Sequence, residues 1–299
     1  MSETALPALG PLSAGRDIAR RRRLDMLFQV LALIVLCVAL AALAALIVDV
    51  WTDGAGRLSW RFLTSFPSRR AEQAGIWHAL TGSVFVIAVT AVLAVPVGIG
   101  AAIYLEEYGT RSAIARLIEI NITNLAAVPS IIYGLLGLGL FVRMLGFGRS
   151  VLAGGATLAL LVLPVVILST REALRAVPKS LREGSYALGA TKWQTIWFQV
   201  LPVAFPGVLT GLILALSRAI GETAPLITIG AVTFVTFAPD SIWSTFTVLP
   251  IQIFNWVSRP QVAFQENAAA GIIILLALLL TMNATAIWLR NRFQRAGQP

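Results

Sequence analysis

Six times along its 299 residues this chain runs for roughly 20 residues with almost no charge, the length that crosses a bilayer's hydrocarbon core as an α-helix. The stretches are 24–50, 75–105, 117–145, 151–170, 198–220 and 268–289. Lipid offers no partner for a free N–H or C=O, so a spanning segment must close its hydrogen bonds internally as a helix or between strands of a closed barrel. The alternating pattern of a barrel strand is absent. The expected fold class is therefore an all-α polytopic membrane protein with six transmembrane helices. With 58% hydrophobic and 12% charged residues, the composition fits the same class. The first stretch is too long, and too poor in small residues at a cleavage point, to be a removed signal peptide.

Six crossings put both termini on one side, and the basic residues indicate which. Fifteen of the 23 Lys and Arg fall on the side of the termini: Arg16, Arg20 to Arg23, Arg111, Arg116, Arg171, Arg175, Lys179, Arg182, Lys192, Arg290, Arg292 and Arg295. Seven fall opposite: Arg57, Arg61, Arg69, Arg70, Arg143, Arg149 and Arg259. The positive-inside rule then predicts cytoplasmic termini, with 1–23 a basic N-terminal segment, 51–74 an external loop and 291–299 a cytoplasmic tail. The net charge of +9 is spent on topology and on attraction to anionic lipid headgroups. No basic run interleaves with aromatics as a nucleic-acid platform would.

Several chemistries are missing. The single cysteine, Cys37, lies mid-span and forms no intrachain disulfide, while the single histidine, His78, cannot assemble a zinc site or a Ser-His-Asp triad. No phosphate-binding loop of the form G-x-x-x-x-G-K-[ST] is present, because the segment from Gly189 to Lys192 lacks its frame. The expectation is a non-catalytic chain that carries no cofactor of its own.

The loop 171–202, REALRAVPKSLREGSYALGATKWQTIWFQVLP, is long and patterned. Pro178 and Ser180 provide a helix start, and Leu181, Tyr186, Ala187 and Leu188 give it one apolar side. Gly189 sits where a helix ends in a left-handed residue. Thr191 can cap a second helix on which Trp193, Ile196 and Trp197 recur at helical spacing, and Pro202 marks entry into the fifth span. A helix, a glycine turn and a helix with a half-apolar surface expect a partner, although an amphipathic interfacial hairpin would share the pattern.

Glu183, Gly184 and Ser185, followed by Gly189, Ile196 and Leu201-Pro202, resemble the EAA signature of ABC importer permeases. The stretches RRRLDMLF, VPSIIYGLLGLGLFVRMLGFG, SRAIGETAPL and NATAIWLRNRFQR extend the resemblance, over nearly the whole chain, to permease subunits of phosphate-specific importers. The loop around 51–70 matches least. Gly184 and Ser185 replace the two alanines of the triplet, and a helical glycine costs about 0.5–1 kcal/mol relative to alanine. The resemblance implies the type I ABC importer permease (MetI-like) fold over 75–290 and a coupling role for Glu183, Gly184, Ser185, Gly189, Ala190, Thr191, Trp193, Ile196 and Pro202. It also implies a homologous second permease (PstC), a separate ATPase dimer (PstB) that holds ATP and Mg, and an external phosphate-binding receptor (PstS).

The segment SRAIGETAPL carries Arg218 and Glu222 at the end of the fifth span. A charge at the centre of a membrane helix costs about 2.5–3.5 kcal/mol on the insertion scale, so the pair needs a partner or a cavity. On a continuous helix the two would share a face. Counting from Pro202 at about 1.5 Å per residue sets Arg218 past the midplane, nearer the outside. Gly221 and Pro225 loosen the backbone just beyond, as is tolerated where it lines a cavity. A guanidinium fork fits phosphate, so Arg218 reads as an anion contact with Glu222 as its resting partner. The same pair could instead be a structural contact between two permeases. Arg143 stands at the outer end of the third span, and Glu172 and Arg175 border the coupling loop as gate or anchor. The region 223–265 reads as an external cap of short helices. A self-powered secondary transporter, the rival class, needs broken helices in both halves, and beyond Pro129 the third span offers no counterpart to the fifth.

Overall fold

The computed structural model describes residues 11–109, 113–231 and 235–296. Arg111, residues 1–10 and the chain end at 297–299 lie outside them, as do the side chains of Arg16, Arg20 and Arg295. The chain divides at Thr52 into two units. The first is built on α1 (Pro11–Gly54), whose side chains from Arg21 to Asp49 are exposed and mostly apolar, as suits a helix meant for lipid.

The second unit begins with a short 3₁₀ turn and α2 (Trp60–Thr64). Next come α3 (Trp77–Ile103), continued by a π-helical turn at Tyr104–Tyr108, and α4 (Ala113–Ala126). α5 (Ser130–Gly137) is likewise continued by a π-helix, Leu138–Met144, and leads to α6 (Val151–Arg175). The hairpin helices α7 (Lys179–Ala187) and α8 (Lys192–Thr195) follow. Through a π-turn at Ile196–Val200, α8 passes into α9 (Leu201–Gly221). The last helices are α10 (Ala224–Ile229), α11 (Leu249–Val257) and α12 (Val262–Ala296).

Five of the described helical runs are long and apolar enough to cross a membrane, and a sixth crossing exists if α4 and α5 count as one. Here the expected continuous span 117–145 is corrected: α4 and α5 meet at an angle of 104°. Pro129, which lacks an N–H and disfavours helix in Val128 before it, is the local cause. Tyr133 bridges the break by donating its hydroxyl to Leu125 O at 2.8 Å.

Close backbone approach holds α3, α6 and α9 together. Gly155 of α6 lies against Val89, and Gly211 and Gly207 of α9 lie against Ser169 and Ala173 of α6. Small residues let apolar helices meet at van der Waals distance, which replaces the hydrophobic drive that lipid cannot supply. The contacts between α6 and α9 also fix an antiparallel register, used below to measure depth.

The region 223–265 does more than cap the molecule. Phe246, Leu249, Ile251 and Trp256 are fully buried, and Phe246 covers Gly154 of α6. The carbonyls of Ser244 and Ile242 accept the Val151 and Leu152 N–H groups at 3.0 and 2.8 Å, which serves the otherwise orphaned first turn of α6. Ser83 of α3 accepts the Leu249 N–H at 2.8 Å, and His78 meets Gln252 at 3.2 Å. Most of the large apolar residues of this region thus pack inside this chain, while Ile242, Trp243 and Phe254 remain exposed. Residues 232–234 lie outside the described part. The 51–74 stretch is also structured. Phe62 joins Trp256 with ring centroids 5.7 Å apart, and Arg57 and Asn267 both donate to the Ala71 carbonyl.

Candidate functional site

Arg218 stands in the last turn of α9, where a cation complements the carbonyl end of the helix. Glu222 is the first residue off the helix, with φ −73° and ψ 126°, so the expected shared helical face is corrected to a contact across a helix end. Arg218 Nε lies 3.4 Å from Glu222 Oε1, at the outer limit of a hydrogen bond. The Arg218 side chain is 49% exposed and that of Glu222 is 17% exposed, so the guanidinium keeps donors free toward open space.

Depth follows from register. Gly211 abuts Ser169, and seven residues further along the antiparallel pair Arg218 is level with Val162, near the middle of α6. By that register Arg218 is level with the middle of α6, whereas counting from Pro202 sets it nearer the outside. The break at Pro129 reaches a similar depth, since Gly137 abuts Thr157 and eight residues back Pro129 is level with Val165. Two interruptions, at Pro129 and at Glu222–Thr223, thus lie at one level. α10 packs on α5 so closely that a Cβ at Gly134 would touch Thr228 and Pro225. Irregular backbone at membrane depth is stable only when buried in protein or lining water.

The hairpin takes the expected form. Gly189 has φ +82°, and the Gly189 and Ala190 N–H groups donate to Tyr186 O at 2.9 Å and Ser185 O at 3.2 Å, a Schellman ending. Thr191 and Gln194 form a reciprocal capping box at the start of α8. The Ser185 and Thr195 hydroxyls join the two arms at 2.9 Å. Ile196 is fully buried, whereas Trp193 and Trp197 stack on each other at 5.6 Å and stay exposed. Leu188 at the tip is 91% exposed, with Glu183, Gly184 and Pro202 also at the surface and Ala190 half-buried.

Beside the hairpin lies a charged cluster of which the sequence analysis singled out only Glu172 and Arg175. Arg175 pairs with Glu106 at 2.9 Å, Glu172 at 3.1 Å and Glu119 at 3.7 Å. Arg171, whose side chain is 6% exposed, meets Glu119 at 2.9 Å and Glu106 at 3.4 Å. Arg182 of α7 pairs with Glu107 at 2.8 Å. Glu106, Glu107 and Glu119 were legible only as acids on the side where the arginines of 171–182 are expected. Arg143 is not brought to any of these sites: it is exposed and makes no ion pair among the described residues.

Residues 94–296 match the family of binding-protein-dependent transport system inner membrane components. The phosphate transport system permease protein PstA 1 of Mycobacterium tuberculosis is 39% identical over 216 residues, 72% of this chain and 70% of that protein. The chain is a PstA-family permease. PstA of Yersinia pestis is 34% identical over 90% of both chains, and the probable ABC transporter permease YqgI of Bacillus subtilis is 32% identical over 83% of this chain and 90% of its own. Among solved structures, a chain of a bacterial ABC transporter involved in the import of the acidic polysaccharide alginate superposes with a TM-score of 0.65 at 15% identity, covering 92% of this chain and 99% of its own. A chain of the inward-facing MetNI methionine ABC transporter gives 0.58 at 18% identity, covering 73% and 94%. Both carry the same MetI-like fold, and the family together with the apolar helices makes the permease a multi-pass inner-membrane protein.

Proposed function

We propose that this permease forms half of the pore of an ATP-driven inorganic phosphate importer. It is non-catalytic, and ATP and Mg are held by a separate ATPase dimer that docks on the 171–202 hairpin. A second, homologous permease completes the pore, and an external phosphate-binding receptor delivers the anion. The observation that carries the reading is the unbroken helical run from Lys192 to Gly221, which joins the exposed hairpin to the end that bears Arg218. The similarity to PstA proteins supplies the anion class.

A push on α8 in this arrangement displaces α9 as one rod and moves the mid-depth interruption. Arg218 offers a planar fork of donors to a phosphate oxygen pair, and Glu222 takes it back when the anion leaves. Competition from Glu222 keeps the anion site weak enough for release, as conduction requires. Glu172 and Arg175 belong to the charged cluster that braces the hairpin end of α6.

The test is to co-purify the permease with the second permease, the ATPase and the receptor, reconstitute them, and measure uptake. Phosphate should accumulate only with ATP and be preferred over sulfate and molybdate. Preference for another oxyanion would reassign the substrate, and uptake by this chain alone under an ion gradient would replace the reading with a secondary transporter.

The proposed orientation has the termini and hairpin in the cytoplasm. A Cβ at Gly184 meets open space, so Gly184→Cys in a Cys37→Ala background should label with an impermeant maleimide only from the cytoplasmic side. Asp240→Cys should label only from outside. The reverse pattern would invert the topology.

A further inference from the structure

No side chain of α7 is buried, so hydrophobic packing contributes little to where this helix stands. A cavity of about 570 Å³, lined by Glu106, Glu107, Arg175, Lys179, Arg182 and Tyr186 among others, separates it from the helices above. The side chain of Arg182 crosses that gap, while Lys192 of α8 lies 4.5 Å from the Tyr108 ring at the end of α3. Arg182 Nε and Nη2 donate to Glu107 Oε1 at 3.1 and 2.8 Å, Nη2 also donates to Leu174 O at 2.9 Å, and Nη1 donates to Val177 O at 2.9 Å.

Two of the three acceptors have a reason to need this donor. Leu174 is in the last turn of α6, and its carbonyl would normally receive the N–H four residues on, where Pro178 has none; the Val177 N–H reaches it only at 3.3 Å. Glu107 lies in the π-turn that ends α3, with a side chain only 7% exposed, and a carboxylate so buried requires a charge partner. A lysine could serve one of these acceptors, whereas the guanidinium serves three at once. The neighbouring cluster of Glu106, Glu119, Arg171 and Arg175 ties α3, α4 and α6 together without touching the hairpin.

We propose that Arg182 is a positioning residue for transport: a strut that makes α7 move as one body with the ends of α3 and α6. The hairpin then acts on the membrane part along two routes, through α8 into α9 by helix continuity and through Arg182 into α3 and α6. This inference rests on the importer reading, because it assigns the strut to force arriving from the ATPase. Without Arg182 the ATPase would still dock at the exposed tip and hydrolyse ATP, yet α7 would no longer carry the ends of α3 and α6 with it.

The experiment has two arms. In the reconstituted complex, Arg182→Met and Glu107→Gln should each lower phosphate taken up per ATP hydrolysed by about tenfold or more, with the ATPase still bound at unchanged stoichiometry. Arg182→Lys, which keeps the charge but not the fork, should be intermediate. In the full chain in nanodiscs, spin labels at positions 188 and 100 in a Cys37→Ala background should give a narrow distance distribution that broadens with Arg182→Met. Position 188 is the exposed tip, and a Cβ at Gly100 meets open space. Unchanged uptake per ATP, an unchanged distance distribution, or loss of the ATPase from the Arg182→Met complex would each overturn the strut. Failure of ATP-driven uptake in the unsubstituted complex counts against the importer reading alone, and the distance arm then decides the strut.

Discussion

Arg218→Gln is expected to abolish phosphate uptake while the complex assembles and receptor-stimulated ATP hydrolysis survives. The guanidinium is half exposed at mid-depth beside two interrupted helices, and its contact with Glu222 is long at 3.4 Å. A pair so loosely closed has donors left for an anion. Arg218→Lys keeps the charge and loses the fork, so it should retain partial uptake. Glu222→Gln should assemble and show altered release, because the competitor for Arg218 is weakened. The structural alternative makes a different forecast: removing one partner of a buried pair costs on the order of 3–5 kcal/mol, and removing both relieves it. The double variant Arg218→Gln with Glu222→Gln therefore decides between them, scored for complex yield and for uptake. A stable, ATP-hydrolysing, transport-dead double variant supports the pathway role, and restored uptake would sink it.

The second large effect is expected at Gly189. Its φ of +82° lies in the left-handed region, which costs an L-residue roughly 1–2 kcal/mol and a β-branched one more. A Cβ there would meet no atom within 4 Å, so any penalty is purely conformational. Gly189→Val should break the Schellman ending, misalign α7 against α8 and remove transport together with receptor-stimulated hydrolysis, while the spans insert normally. Gly189→Asn, whose side chain tolerates left-handed backbone, should keep most of the activity. Full transport by the valine variant would show that the hairpin is not the coupling element.

The two sites differed in how much of them could be read in advance. The hairpin was legible to a large extent, because Pro178, Gly189 and the Thr191 cap act through backbone groups only a few positions away, although the part of Gln194 in that cap appeared only in the structure. Arg218 and Glu222 were legible as an anomaly, two charges in an apolar run, but their geometry was not. Helical spacing implied a shared face, whereas Glu222 has already left the helix. The Arg182–Glu107 pair spans 75 residues of sequence, and no local pattern marks Glu107 as its partner.

The sequence by itself determined the solvent, the helical class and the hairpin. Transfer of about 20 apolar residues into lipid and the capping of helix ends are sums over neighbouring residues, so they can be read in order along the chain. The tertiary structure decided the rest. The 104° bend at Pro129, the common depth of the two interruptions and the burial of Phe246 and Trp256 depend on which helices lie side by side and in what register. That register is set by close contacts such as Gly211 against Ser169 and Gly134 against Thr228, between residues far apart in sequence. A proline in an apolar run signals that a helix can break; only the neighbours that satisfy the freed backbone determine that it does, and at what angle.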